Sequence, residues 1–93
     1  MLKPKQRHPS KQPIRDPATF VAFGIVLRRF RQQRQLTQEQ LAWNSGIDRT
    51  FISELELGKK EPGLMTILIL ARALEIPAAT FIAEIEQVFA ERH

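Results

Sequence analysis

The chain has 93 residues, 43% of them hydrophobic, and no cysteine. That leaves room for one small domain and excludes disulfides and thiolate metal sites. The net charge of +4 is unevenly placed: residues 1–34 hold nine Lys/Arg and one acid, whereas residues 35–93 hold five Lys/Arg and nine acids.

A basic front on a mildly acidic remainder points to a polyanionic partner, although a tail that only aids solubility gives the same composition. No apolar run approaches the roughly 20 residues of a membrane helix, and no apolar stretch with a small-residue cleavage site follows the basic start. A cytoplasmic protein with no membrane partner is therefore expected.

Residues 1–17, MLKPKQRHPSKQPIRDP, contain four of the six prolines and few apolar side chains. Such a stretch buries too little surface to offset its ordering entropy, so a flexible basic arm is expected there, with the folded domain over 18–93. From Thr19 the pattern turns helical. Thr19 or Asp16 is the candidate N-cap, and Phe23, Val26, Leu27 and Phe30 form one apolar stripe. Arg28, Arg29, Arg31 and Arg34 occupy much of the other surface, and this first helix fades near Gln33–Gln35.

Thr37 followed three residues later by Gln40 is a capping box, which starts a second helix with Leu41 and Ala42 turned inward. Gly46 ends it, in the left-handed conformation that a side chain makes costly. Asp48 caps a third helix, over Asp48–Leu57, whose inward face is Ile52 and Leu55. Gly58 closes that helix, and Lys59, Lys60 and Glu61 lead a short loop. Leu64, Ile67, Leu68, Leu70, Ala71 and Leu74 predict a buried fourth helix, stopped at Ile76-Pro77. A fifth, about Ala78 to Glu91, carries Phe81, Ile82, Ile85, Val88 and Phe89. No segment alternates with strand period, so the fold class is all-α with five helices.

The second and third helices are each too short to stand alone in water. Two such helices joined by a glycine-bearing turn make a helix-turn-helix, whose second member is presented to the major groove of DNA. Packing on the first, fourth and fifth helices must stabilise the pair. Catalysis has no support: the only histidines, His8 and His93, stand in the tails, tyrosine is absent, and no glycine-rich phosphate loop occurs. No catalytic residue, metal ligand, cofactor or small-molecule ligand is expected.

The strings LTQEQLA, SGI, FISELELGKKEP and LARALEIP are similar, in order and spacing, to the phage-repressor and Cro-type helix-turn-helix proteins, the XRE family. The resemblance runs from about Gly24 to Ile82. It implies a lambda-repressor-like DNA-binding domain, and it agrees with the residues in making the third helix the recognition helix. Arg49 is then the candidate for a bidentate contact to guanine O6 and N7, or else for a phosphate contact. Thr50 is placed to meet a thymine methyl or a phosphate. Ser53 and Glu54 follow one turn on, Glu54 either accepting from cytosine N4 or pairing with Arg49.

Phosphate contacts are expected from Gln38, at the start of the second helix where free N–H groups favour an anion, and from Thr37, Lys59 and Lys60. The resemblance also implies an ion pair between Arg31 and Glu56 that fixes the recognition helix to the first helix. Two residues depart from the family pattern: Trp43, where a polar residue is usual, and Leu57, where Arg or Asn often faces DNA.

The apolar face of the fifth helix is wider than one cap on a four-helix core requires, which predicts a homodimer interface through Phe81, Ile85 and Phe89 or their neighbours, the alternative being that the whole face is core. A dimer sets two recognition helices about 34 Å apart on a two-fold operator. IDRTFISELELGKKEP most resembles the controller proteins of restriction–modification systems. The alternative within the family is an antitoxin that holds a toxin protein and autoregulates its operon. RNA polymerase or a toxin are accordingly the protein partners considered beside double-stranded DNA.

Overall fold

Five helices and no strand make up residues 17–92, which the computed structural model describes. They are α1 (Pro17–Gln33), α2 (Gln38–Ser45), α3 (Arg49–Glu56), α4 (Leu64–Ala73) and α5 (Ala78–Glu91). Pro17 opens α1, a position where its fixed φ suits the helix and its missing N–H is not needed. Thr19 therefore lies inside α1 and is not its cap. Asp16, and the expected arm apart from Pro17, lie outside the described residues.

The short helices start and stop where local chemistry dictates. The Thr37 hydroxyl accepts from the Gln40 N–H at 3.0 Å, and the Gln40 side chain accepts from the Thr37 N–H at 2.8 Å, which completes the capping box. Gly46 sits at φ 76° and donates its N–H to the Ala42 carbonyl at 2.8 Å, so the chain reverses without strain. Asp48 accepts from the Thr50 N–H at 3.0 Å and caps α3. These bonds satisfy donors that an eight-residue helix would otherwise leave open at its start.

The core is a single cluster built from Ala22, Phe23, Val26 and Leu27 of α1, Leu41 of α2, Ile52 and Leu55 of α3, Leu70 and Ala71 of α4 with Leu74 after it, and Phe81, Ile85 and Val88 of α5. Phe81 lies between two rings of α1, 5.4 Å from Phe23 and 5.8 Å from Phe30, the latter edge-on. Aromatic pairs at such distances add to their area burial, so α5 is fastened along α1.

The arrangement corrects two expectations. Phe81 is fully buried and Ile85 9% exposed, so these interface candidates are internal core and offer a second chain no surface. Phe89 is half-buried and packs against the same core. Much of the apolar side of α5 is taken up within the chain: Phe81 meets Phe23 and Phe30 of α1, and Ile85 and Val88 join the same core. Conversely, α4 is not wholly buried: Leu64 is 71%, Met65 68% and Leu68 45% exposed. Among the described residues no single helix is long and apolar enough to cross a membrane.

Candidate nucleic-acid interface

At about 100° per residue, Arg49, Thr50, Ser53, Glu54 and Leu57 fall on one face of α3, opposite Ile52 and Leu55, which are in the core. Arg49 and Thr50 are exposed, Ser53 and Glu54 half-buried, and Leu57 exposed just past the helix end. The four expected base-reading side chains are thus brought together. Among the described residues Arg49 and Glu54 form no ion pair with each other. With 1.5 Å rise per residue, α3 is about 12 Å long, close to the width of the DNA major groove.

What holds α3 in place is a junction of three elements. The Arg31 guanidinium, on α1, donates from Nε to Glu56 Oε2 at 2.6 Å and from Nη2 to Glu56 Oε1 at 3.0 Å. Its Nη1 donates to the Leu36 carbonyl at 2.7 Å, in the segment entering α2. Gln38, the first residue of α2, donates from Nε2 to Glu56 Oε1 at 3.0 Å. The side chains of Arg31 and Glu56 are 11% and 4% exposed. The hydrogen bond to Glu56 raises the Arg31 pKa above its ordinary value; burial opposes this and the attraction of the Glu56 charge adds to it. One carboxylate therefore receives three N–H donors and ties α1, α2 and α3 together.

Gln38 is consequently less free than the sequence suggests. Its amide nitrogen is turned inward to Glu56, and the remaining amide hydrogen and the carbonyl are what it can offer a phosphate. Thr37 is accounted for by its cap, with only its hydroxyl hydrogen left over. Lys59 and Lys60 are exposed in the segment after α3, where the Lys59 N–H closes the helix on the Glu54 carbonyl at 2.9 Å. Both residues follow the C-terminal end of α3. Arg28, exposed on α1, borders the same hollow as Glu56 and adds a cation on that side. Arg29 and Arg34 are engaged elsewhere, with Glu84 at 3.9 Å and Glu75 at 2.8 Å.

Gly24 is a structural residue that the sequence reading left unassigned. A Cβ there would stand 2.5 Å from the Leu55 carbonyl oxygen and 2.6 Å from that of Glu56. Only a bare Cα lets α1 cross this close to the end of α3. The available signal was a glycine inside an otherwise regular apolar stripe, where it weakens the helix and so needs a packing reason. Trp43 is 87% exposed on α2, outside the recognition face.

Among the described residues no group of His, Asp or Glu is arranged to hold a metal. A family model described as "Helix-turn-helix" matches residues 27–81. The chain is 47% identical over 57 residues to the HTH-type transcriptional repressor RghR of Bacillus subtilis (strain 168), covering 60% of this chain and 42% of that protein. It is 44% identical over 48 residues to the control protein C.SmaI of Serratia marcescens, covering 52% of this chain and 57% of that one. It thus spans about half the length of these curated relatives. Among solved structures, the restriction-modification controller protein C.AhdI from Aeromonas hydrophila superposes with a TM-score of 0.67 at 41% identity, covering 69% of this chain and 97% of that one.

Proposed function

Because this chain belongs to the helix-turn-helix family, we propose that it is a transcriptional regulator that reads double-stranded DNA in the cytoplasm, as a homodimer on a two-fold operator. The observation that carries the reading is the face of α3. Its polar side chains point away from a core that has fixed the helix on three sides, through Ile52 and Leu55, through the Arg31–Glu56–Gln38 junction, and through Gly24. A side chain that reads a base works best on a rigid element, and these three attachments support α3 as that element. Likeness to a repressor and to controller proteins supports the regulatory role.

In this reading α3 enters the major groove with its N-terminal end foremost. Arg49 makes the bidentate guanine contact, with Thr50, Ser53 and Glu54 reading adjacent positions. Lys59, Lys60, Gln38 and Thr37 set the register on the phosphates and carry no sequence information themselves. Regulation follows from occupancy of the operator.

Selection of sites from a randomised duplex pool at near-physiological salt tests the proposal. Enrichment of two inverted half-sites about one DNA turn, roughly 34 Å, apart is the expected result. Affinity without enrichment, lost as salt rises, would leave only non-specific attraction and end the regulator reading. On the selected site, Arg49→Ala should weaken binding by about 1–3 kcal/mol and relax one base position. An unchanged base preference removes Arg49 from the groove.

Lys59→Ala should act differently. It should weaken all sequences alike and lower the slope of log affinity against log salt by about 0.9, one counterion's worth. A slope equal to that of the parent protein would place Lys59 off the phosphates.

A further inference from the structure

A leucine carries no hydrogen-bond donor or acceptor, so on a face that meets DNA it can recognise only an apolar group. Six large apolar side chains are exposed among the described residues, and Leu57, 61% exposed, is the one in line with the outward side chains of α3. A lone exposed leucine is ordinary on a protein surface. Its place and its fixed backbone give this one a meaning.

Leu57 stands seven residues after Thr50, close to two full turns at about 100° per residue, so the two share one line on the helix surface. Ser53 and Glu54 lie between them, one on either side of that line. The helix end that carries Leu57 is fastened. The Leu57 N–H donates to the Ser53 carbonyl at 3.1 Å, the Gly58 N–H to the Leu55 carbonyl at 3.1 Å and the Lys59 N–H to the Glu54 carbonyl at 2.9 Å. Gly58, at φ 73°, turns the chain away directly afterwards and packs on α1, where a Cβ would stand 3.1 Å from the Val21 side chain and 3.2 Å from its Cα. Leu57 takes no part in the core.

We infer that Leu57 is a specificity-determining residue that reads the C5-methyl group of a thymine in the major groove. The inference deepens the DNA-reading role proposed above for α3 and rests on it. The major-groove edges of the base pairs present acceptors, amino donors and a single apolar group, the thymine methyl. Only that group matches a leucine. A cytosine in the same place would set its amino donor beside a side chain that cannot accept, and leaving a desolvated donor unpaired is unfavourable. The seven residues from Thr50 to Leu57 span about 10.5 Å of helix axis. That is about three base-pair steps of roughly 3.4 Å, so the thymine lies apart from the position that Thr50 meets.

The ligand is one methyl group, so the test removes and restores it. On the selected site, Leu57→Ala should lose the preference for thymine at one position and keep the parent's preference at the others. Leu57→Met, still long and apolar, should keep it at all of them. Replacing that thymine with deoxyuridine, which lacks only the methyl, should weaken the parent by about fourfold per half-site, the worth of one buried methyl. The same replacement should leave Leu57→Ala unaffected and should still weaken Thr50→Ala. With cytosine at that position, the parent should bind less well, and 5-methylcytosine should recover part of the loss for the parent but not for Leu57→Ala. Leu57→Ala should melt within a few degrees of the parent, since the side chain is exposed and outside the core, so lost affinity is not lost fold.

A parent that binds the thymine and deoxyuridine duplexes equally overturns the inference and leaves the regulator reading standing. So does a Leu57→Ala variant that responds to the missing methyl as the parent does, or one that weakens all sequences alike, which would put the side chain on the sugar-phosphate backbone. A selection that enriches no sequence defeats the regulator reading and the inference with it.

Discussion

Replacing Gly24 with alanine should destabilise the domain by roughly 3 kcal/mol, even though the same change in an exposed helix interior is stabilising by about 0.5–1 kcal/mol. The two effects have opposite sign and the steric one is larger. The new methyl carbon would lie 2.5 and 2.6 Å from two carbonyl oxygens and 2.9 Å from the Glu56 carbonyl carbon, all backbone atoms of α3. A flexible side chain could swing away from such a contact; a helix backbone cannot.

Relief requires α3 to move off α1 by several tenths of an ångström. That movement stretches the Arg31–Glu56 bonds, which start at 2.6 and 3.0 Å. The variant should therefore lose DNA affinity beyond what its unfolded fraction explains, because the recognition face moves with α3. For a domain this size about 1 kcal/mol corresponds to 4–8 °C in Tm, so a fall of more than about 10 °C in a thermal melt is expected. A Tm equal to or above the parent's would show that α1 and α3 do not approach this closely.

The contrast between Gly24 and Gly46 shows what could be read in the sequence and what could not. Gly46 follows a helix started by a recognisable box, Thr37 and Gln40, and precedes a cap at Asp48. Its conformation is a matter of neighbours along the chain, and the structure has it at φ 76°. Gly24 owes its identity to residues more than thirty positions away, and no local rule points to them. The outward face of α3 was legible for the same reason as Gly46: once Ile52 and Leu55 are inward, 3.6 residues per turn leaves Arg49, Thr50, Ser53 and Glu54, the side chains proposed to read bases, on the other side.

The apolar helices were less legible, and in a way that follows from their composition. In LMTILILARA, apolar residues occupy most positions around the helix, so periodicity selects no face. Only tertiary packing decides that Leu70, Ala71 and Leu74 are buried while Leu64, Met65 and Leu68 are not. On α5 the error ran the other way. The width of its apolar face suggested a second chain through Phe81 and Ile85, but Phe81 packs on two phenylalanine rings of α1 and Ile85 lies in the same core. Gln38 was placed correctly at a helix start, yet its bond to Glu56 depended on how α2 and α3 come together.

Arg31→Ala and Glu56→Ala should each cost about 3–5 kcal/mol, a large share of the 5–15 kcal/mol typical of a whole domain. The reason is what each truncation leaves behind. Without Arg31, a carboxylate that is 4% exposed keeps only the Gln38 amide as donor, and the Leu36 carbonyl loses its partner. Without Glu56, a guanidinium that is 11% exposed keeps only the Leu36 carbonyl, and the Gln38 amide is released. Water cannot readily replace the lost partner at this depth, so the penalty is that of an uncompensated buried charge, not of a lost surface contact.

Two further outcomes separate this account from an ordinary surface pair, which is worth under about 1 kcal/mol and fades with salt. The double variant Arg31→Met/Glu56→Leu should be more stable than either alanine variant, because removing both charges removes the unpaired one. The loss in the single variants should persist in high salt, since buried pairs are screened little. The raised pKa of Arg31 keeps its guanidinium charged, so its contribution is present throughout the working range and is lost only in extreme alkali, as pH rises through that folded-state value. Denaturant melts of the four proteins at low and high salt decide the matter. Single variants within about 1 kcal/mol of the parent would mean that α3 is held by its apolar contacts alone.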